Sequence, residues 1–492
     1  MAGKQETKRE LGLFYGVITG LGSAFGIEFF VLLEYSVQLA GPAIVLSLFL
    51  CGLINLLTMF NYSELGSSIS RVGAEYTFTK VAFGGFISFL TGWLRWLSSV
   101  LTATLSAMGF AQIVQYFLPS VNTSLIAVLV IVLFTLVSVK GGKTVNLITV
   151  VMFIAVFAIL NVFGIIRGLN LENFHPFAPK GYSGVFAGVM YTFGMYVGMR
   201  AIVTRSPVMK DPGRVLPKAV TLSTIVLIIV YCSVAFVVVG VVPPNTELPE
   251  PLLMYATKMI MGPPGEVLLT IAWISAALMS LATSMTVQAS ILSGLSRDGY
   301  LPRLIFSRDS RSGTRYIAVT IGAVLAILFA ATGLIIFVGY AAGFVSLVIL
   351  ALVNLSLIKL RRERPRLQRP FKTPFYPYTP IIGIIFAFLL IIFVESSAII
   401  VGLEFIIISV IVYHLRMMGY NRLRLAVGGI NIGITGLTAL ILCLLQIGFI
   451  QLALPPRIER IFIISTVILA TVFFVAGILN LAVRKKQRTM SR

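Results

Sequence analysis

The chain has 492 residues, of which 58% are hydrophobic and only 11% charged, with a mean hydropathy of +1.00. That balance excludes a soluble globular domain and a disordered chain. The formal net charge of +21 suggests nucleic acid until its placement is read, and the placement points to membrane topology instead.

The first ten residues are polar, with Lys4, Lys8 and Arg9. No small-residue cleavage site follows the first apolar run, so no cleaved signal peptide is expected. Apolar runs long enough to cross about 30 Å of hydrocarbon as helices then recur along the chain. They predict fourteen spans, at 12–40, 42–61, 84–117, 123–139, 144–166, 183–204, 216–242, 265–295, 316–333, 335–358, 379–394, 396–415, 425–449 and 460–483. The fold class is therefore an all-α polytopic membrane protein. Three connections are longer than the rest: 62–83, the proline-punctuated 243–264, and the basic 359–378.

With these spans, almost every Lys and Arg falls on the side of the N-terminus. The opposite side holds Arg167, Lys180, Lys258, Arg457 and Arg460, and only Arg95 and Arg200 fall within spans. Such asymmetry places both termini in the cytoplasm, with 1–11 and 484–492 as tails. Basic loops also favour contact with anionic lipid headgroups. The 359–378 loop lacks aromatic interleaving for base stacking and reads as a cytoplasmic anchor, not a nucleic-acid patch. Cys51, Cys232 and Cys443 lie in apolar spans and read as small core residues. His175 and His414 are isolated. There is no metal-ligand spacing, nucleophile–base set or phosphate-cradling loop, so neither an enzyme nor a cofactor is expected.

Two segments stand out. Gly22-Ser23-Ala24-Phe25-Gly26-Ile27-Glu28 and Gly194-Met195-Tyr196-Val197-Gly198-Met199-Arg200 share the frame Gly-x-x-x-Gly-x-charge at an offset of 172. A charge at bilayer depth costs about 2.5–3.5 kcal/mol on insertion scales. Two such charges at matching places need a reason. One reading is a small-residue face for helix packing. The paired occurrence favours the other, two unwound segments whose free backbone groups bind a ligand. The offset predicts a repeat, 12–166 and then 183–358. Five spans per unit invert the second unit relative to the first. Spans eleven to fourteen, 379–483, fall outside it.

Residues 10–118 resemble the amino acid–polyamine–organocation transporters. The matching run is Tyr62-Ser63-Glu64-Leu65, Arg71 to Phe78, Ala82-Phe83-Gly84 and Gly92-Trp93. Further on, Lys210-Asp211-Pro212-Gly213-Arg214, Pro217-Lys218-Ala219, Arg297 to Pro302, and Arg364-Pro365 with Leu367 to Pro374 resemble the family's inner loops in the family's order. The resemblance implies a leucine-transporter-type 5+5 inverted repeat, here with four extra C-terminal helices, and a small organic substrate at the breaks of helices one and six. In the family a Gly-Ser-x-x-Gly-x-Gly segment holds the substrate carboxylate. Carried over, these are Gly22, Ser23 and Gly26, with Glu28 in place of the third glycine. Where the family has an acid in helix six, this chain has Arg200.

The expected substrate site is therefore Gly22, Ser23, Ala24, Gly26 and Glu28 with Gly194, Tyr196, Gly198 and Arg200, Tyr196 covering the ligand. Glu28 and Arg200 either pair with each other or face separate water-filled vestibules. Arg95 has three readings: a partner for Glu28, a cation stacked between Trp93 and Trp96, or a side chain snorkelling to water. Ser98 and Ser99, a turn later, offer hydroxyls. The lysine that proton-coupled members carry in helix five aligns with Met152. Glu28 therefore becomes the coupling candidate, for a proton; sodium coupling stays open. The expected function is secondary transport of amino acids or related amines. Alternatives are a ligand-binding sensor or an inorganic-ion transporter of the same fold. The sequence leaves the oligomeric state open.

Overall fold

The computed structural model describes residues 11–70, 73–140, 146–242, 251–306, 316–417, 420–447 and 455–481. The N-terminal tail through residue 10, Arg71, Lys143, Pro243, Pro244, Pro249 and the basic tail 484–492 lie outside the described residues. Within them every regular element is helical, apart from one bridge between Leu11 and Met209.

The first predicted span is two helices, α1 (Leu13–Ala24) and α2 (Ile27–Ala40), separated by Phe25 and Gly26. Then come α3 (Ile44–Ser68), a short α4 (Ala74–Ala82), α5 (Gly85–Phe117), α6 (Thr123–Lys140) and α7 (Asn146–Arg167). The sixth span is α8 (Gly181–Tyr196) and α9 (Arg200–Thr204), joined by a 3-10 turn at Val197–Met199. It is followed by α10 (Pro212–Val241), a short α11 (Leu252–Met261), α12 (Pro263–Arg297), α13 (Tyr316–Ala331) and α14 (Ile335–Glu363). The last four are α15 (Tyr378–Ile391), α16 (Ser396–Met417), α17 (Tyr420–Gln446) and α18 (Pro456–Leu481).

Each of the fourteen predicted spans is thus occupied by helix. Among the described residues, ten helical stretches are long and apolar enough to cross a membrane, and α1, α6, α11, α13 and α15 are shorter apolar helices. Two long connections differ from the expected loops. α3 runs to Ser68 and α4 fills much of 62–83. α11 lies within 243–264, and Pro263 opens α12 in the first turn, where a missing N–H is harmless.

α5 and α12 pack along their lengths, α3 lies against α10, and α2 lies against α8. α17 and α18 pack chiefly on each other. That leaves Cys443 on α17 exposed, unlike Cys51, which is fully buried, and Cys232, which is half-buried.

The basic loop after α14 folds against α3 through Glu64, which is 1% exposed. Arg361 grips its carboxylate in a bidentate fork (2.8 and 2.5 Å), Arg369 approaches to 3.3 Å, and the Thr373 amide donates at 2.7 Å. Glu64→Ala leaves two guanidiniums without their shared acid. By the usual cost of breaking a buried pair it should destabilise by about 3–5 kcal/mol, seen as a lower melting temperature in detergent. A second tie joins α4 to the end of α12: Lys80 donates to Asp298 at 2.7 Å, and Tyr76 donates to the same oxygen. Partial burial works against the Asp298 charge, but these donors outweigh it and hold the carboxyl below its ordinary value.

Candidate substrate-binding site

α1 stops at Ala24 because the chain leaves helical geometry at Phe25 (ψ 61) and runs extended through Gly26 (φ −101, ψ −176). The extended conformation suits any residue. Glycine at 26 leaves room for the Glu28 carboxylate, which a Cβ there would push aside. Aromatic rings pack around this break: Phe25 stacks on Phe153 (5.6 Å), Phe29 on Tyr231 (4.5 Å), and Phe30 tilts against Trp273 (5.0 Å). The sixth span tightens instead of opening, with 3-10 geometry over Val197–Met199. The two irregularities keep the sequence offset, since α1 ends at Ala24 and α8 at Tyr196, 172 residues later.

They also touch. A Cβ on Gly198 would land on the Ser23 carbonyl and lie 2.7 Å from the Ala24 Cα, so backbone meets backbone here. The buried Tyr231 hydroxyl on α10 donates to the Ala24 carbonyl at 2.7 Å and lies 3.5 Å from that of Met195. It therefore ties the ends of both half-helices together, sharing the Ala24 carbonyl with the Gly26 amide, which donates to it at 2.7 Å. Tyr231→Phe should lower stability by about 0.5–1.5 kcal/mol, the net worth of one hydrogen bond, since the Gly26 amide still serves the Ala24 carbonyl; thermal shift measures it.

A cavity of about 90 Å³ sits between these breaks and two long helices. The first break contributes Gly22, Ser23, Phe25, Gly26 and Glu28; the second contributes Val197, Gly198 and Ala201. α5 adds Arg95, Ser99 and Thr102, and α12 adds Met279, Ser280, Thr283, Ser284 and Val287. Five of the nine residues expected at the site, with Arg95 and Ser99 of the second tier, thus line one cavity. The α12 wall was not anticipated. Its signal was present, since Ser280, Thr283, Ser284 and Val287 follow i, i+3, i+4, i+7 spacing.

The remaining expected residues lie elsewhere. The Tyr196 ring covers no ligand space; it is fully buried, and its hydroxyl donates to the Leu48 carbonyl at 3.0 Å. Gly194 faces Leu32, Ala24 offers only its carbonyl to Tyr231, and Ser98 is buried off the cavity.

The expected Glu28–Arg200 ion pair is not formed. Arg200 is 3% exposed, donates to the Ser346 carbonyl at 3.3 Å, and lies 5.9 and 6.0 Å from the ring centroids of Tyr62 and Phe193. The reason is helical phase. Arg200 follows Gly198 by two residues, which turns it to the opposite side of the helix, away from the cavity wall. Arg95 does not pair with Glu28 either, nor does it lie over the rings of Trp93 or Trp96. It faces Glu75 of α4 at 3.7 Å, with Ser99 3.5 Å away. Glu28 takes a hydrogen bond from Ser280 and one from its own backbone amide. Met152 on α7 packs against the core.

An apolar helical bundle with a polar cavity at a broken helix fits a membrane carrier, and comparison with known proteins decides the family. The family described as amino acid permease matches residues 11–415. The chain belongs to the amino acid permease family. This permease is 26% identical to a branched-chain amino acid permease of Bacillus subtilis (strain 168), over 86% of its own length and 96% of the relative's. It is 26% identical to a methylthioribose transporter of the same organism (76% and 86%), and 27% identical to cationic amino acid transporter 9, chloroplastic, of Arabidopsis thaliana (61% and 57%). As a member of this family the permease is a multi-pass membrane transporter and not an enzyme. Its matched region ends within α16, so α17 and α18 fall beyond it.

Proposed function

We propose that this permease is a secondary transporter of amino acids or related amines, working by alternating access around the cavity between the two breaks. The observation that carries the reading is that irregular backbone of the first and sixth spans meets in one polar cavity walled by α5 and α12. Non-helical backbone at membrane depth is tolerated where it lines such a cavity. The constant offset of 172 supports two five-helix units, 12–166 and 183–358, in inverted orientation, with 379–483 as an appended group. The substrate contacts would be Gly22, Ser23, Gly26, Glu28, Arg95, Ser99 and Gly198, joined by Ser280, Thr283 and Ser284. Glu28 is the one carboxylate lining the cavity, which supports it as the carrier of a coupling proton. The basic loops support cytoplasmic termini, and the membrane we assign is the cell membrane.

The test is uptake of a labelled panel of amino acids and amines into proteoliposomes, with and without a pH gradient. Concentrative uptake that follows an inward proton gradient supports the reading. Binding without any uptake would favour a sensor, and uptake of inorganic ions alone would favour an ion transporter.

A further inference from the structure

The N-terminus of α2 opens onto the cavity. The first-turn amides of a helix lack intrahelical partners and attract negative charge, which makes this end the natural seat for a ligand carboxylate. In this chain the seat is taken. Glu28, the second residue of α2, folds back so that its carboxylate accepts a hydrogen bond from its own amide and another from Ser280. It lies directly over Gly26, where a Cβ would displace it. A second carboxylate brought here would meet a like charge and find a donor already used.

The same arrangement suits a cation. The Glu28 carboxylate lines the cavity, with the hydroxyls of Ser99, Thr283 and Ser284 also on its wall. Hydroxyl oxygens accept from an ammonium as readily as they donate. Arg95 lines the cavity as well, with Glu75 3.7 Å and the Ser99 hydroxyl 3.5 Å from its guanidinium, so Glu75 offsets its charge.

We propose that Glu28 fills the carboxylate seat of the helix break and turns the cavity into an ammonium-reading site. Its substrates are then amines, and amino acids recognised through the amino group, with no carboxylate required. This rests on the cavity being the transport site.

Competition in proteoliposomes tests it. For each amino acid taken up, two analogues are compared with the parent, the decarboxylated amine and the deaminated acid. In the wild type the amine should compete within about threefold of the parent, and the acid should be weaker by roughly tenfold or more, since a charge-assisted hydrogen bond is lost. Glu28→Gly frees the amides and removes the acid, so the order of the two analogues should reverse. Glu28→Gln keeps the shape and should lose the preference for the amine. An amine more than about tenfold weaker than its parent amino acid in the wild type overturns the proposal, whatever the variants do. So does an unchanged order of analogues in Glu28→Gln. If wild-type liposomes neither take up nor bind any amino acid or amine, the transport reading itself fails and this one falls with it. Uptake of an amino acid whose amine does not compete removes the ammonium reading alone.

Discussion

Gly198→Val should yield little folded protein and no measurable uptake. At this position the Cβ has no room: it would overlap the Ser23 carbonyl and lie 2.7 Å from the Ala24 Cα. Both obstacles are backbone, so no rotamer change relieves them, and one half-helix must move away from the other. Overpacking alone costs about 1–3 kcal/mol, and the valine side chain adds two methyl groups to a contact already closed. The movement would also pull the Ala24 carbonyl away from Tyr231. Gly194→Ala, four residues earlier, provides the contrast. There the Cβ meets only the end of a flexible side chain, Leu32 Cδ1 at 3.0 Å, which can shift. It should fold and transport nearly as the wild type does. Size-exclusion profiles and melting curves of the two detergent-solubilised variants decide the matter. A monodisperse Gly198→Val protein with wild-type melting would show that the breaks are not in the close contact described.

Much of the architecture was legible in the sequence because hydrocarbon thickness sets helix length, and runs such as 216–242 or 335–358 admit no other reading. The break was legible too, in the paired Gly-x-x-x-Gly frames. The side-chain pairing was not. Glu28 and Arg200 hold matching positions, and opposite charges at matching positions invited a salt bridge. What decides is the phase of each charge about its helix, and the 3-10 turn at Val197–Met199 sets that phase locally. Arg95 found its acid in Glu75, which lies in a connection read as loop. The pair became visible only once α4 was seen to place Glu75 against α5. Tyr196 shows the same limit from another side: an aromatic ring beside a break can turn either way, and here Leu48 offers its carbonyl. Hydroxyls on α12 carried a helical spacing, but membrane helices use serine and threonine for packing so often that the spacing alone selected nothing.

Glu28→Gln should reduce uptake by roughly ten- to hundredfold while the protein folds normally, matching the about 1.5–3 kcal/mol carried by a hydrogen bond to a charged group. Glutamine has the same shape, so the packing over Gly26 and the contact with Ser280 can persist. What disappears is the negative charge and, with it, the ability to exchange a proton. Two readouts follow from the two roles. Substrate affinity should fall because the ammonium loses its counter-ion, and the remaining flux should no longer respond to an imposed pH gradient. In the wild type, protonation of Glu28 on one face and release on the other would let the proton and the ammonium use the carboxylate in turn. A variant that loses affinity but still concentrates substrate under a proton gradient would separate the roles, assigning recognition to Glu28 and coupling to another group. A variant with wild-type affinity and wild-type gradient response would remove Glu28 from both. The measurement is initial-rate uptake over a range of substrate concentrations, at equal and unequal pH across the liposome membrane, on protein whose melting temperature matches the wild type.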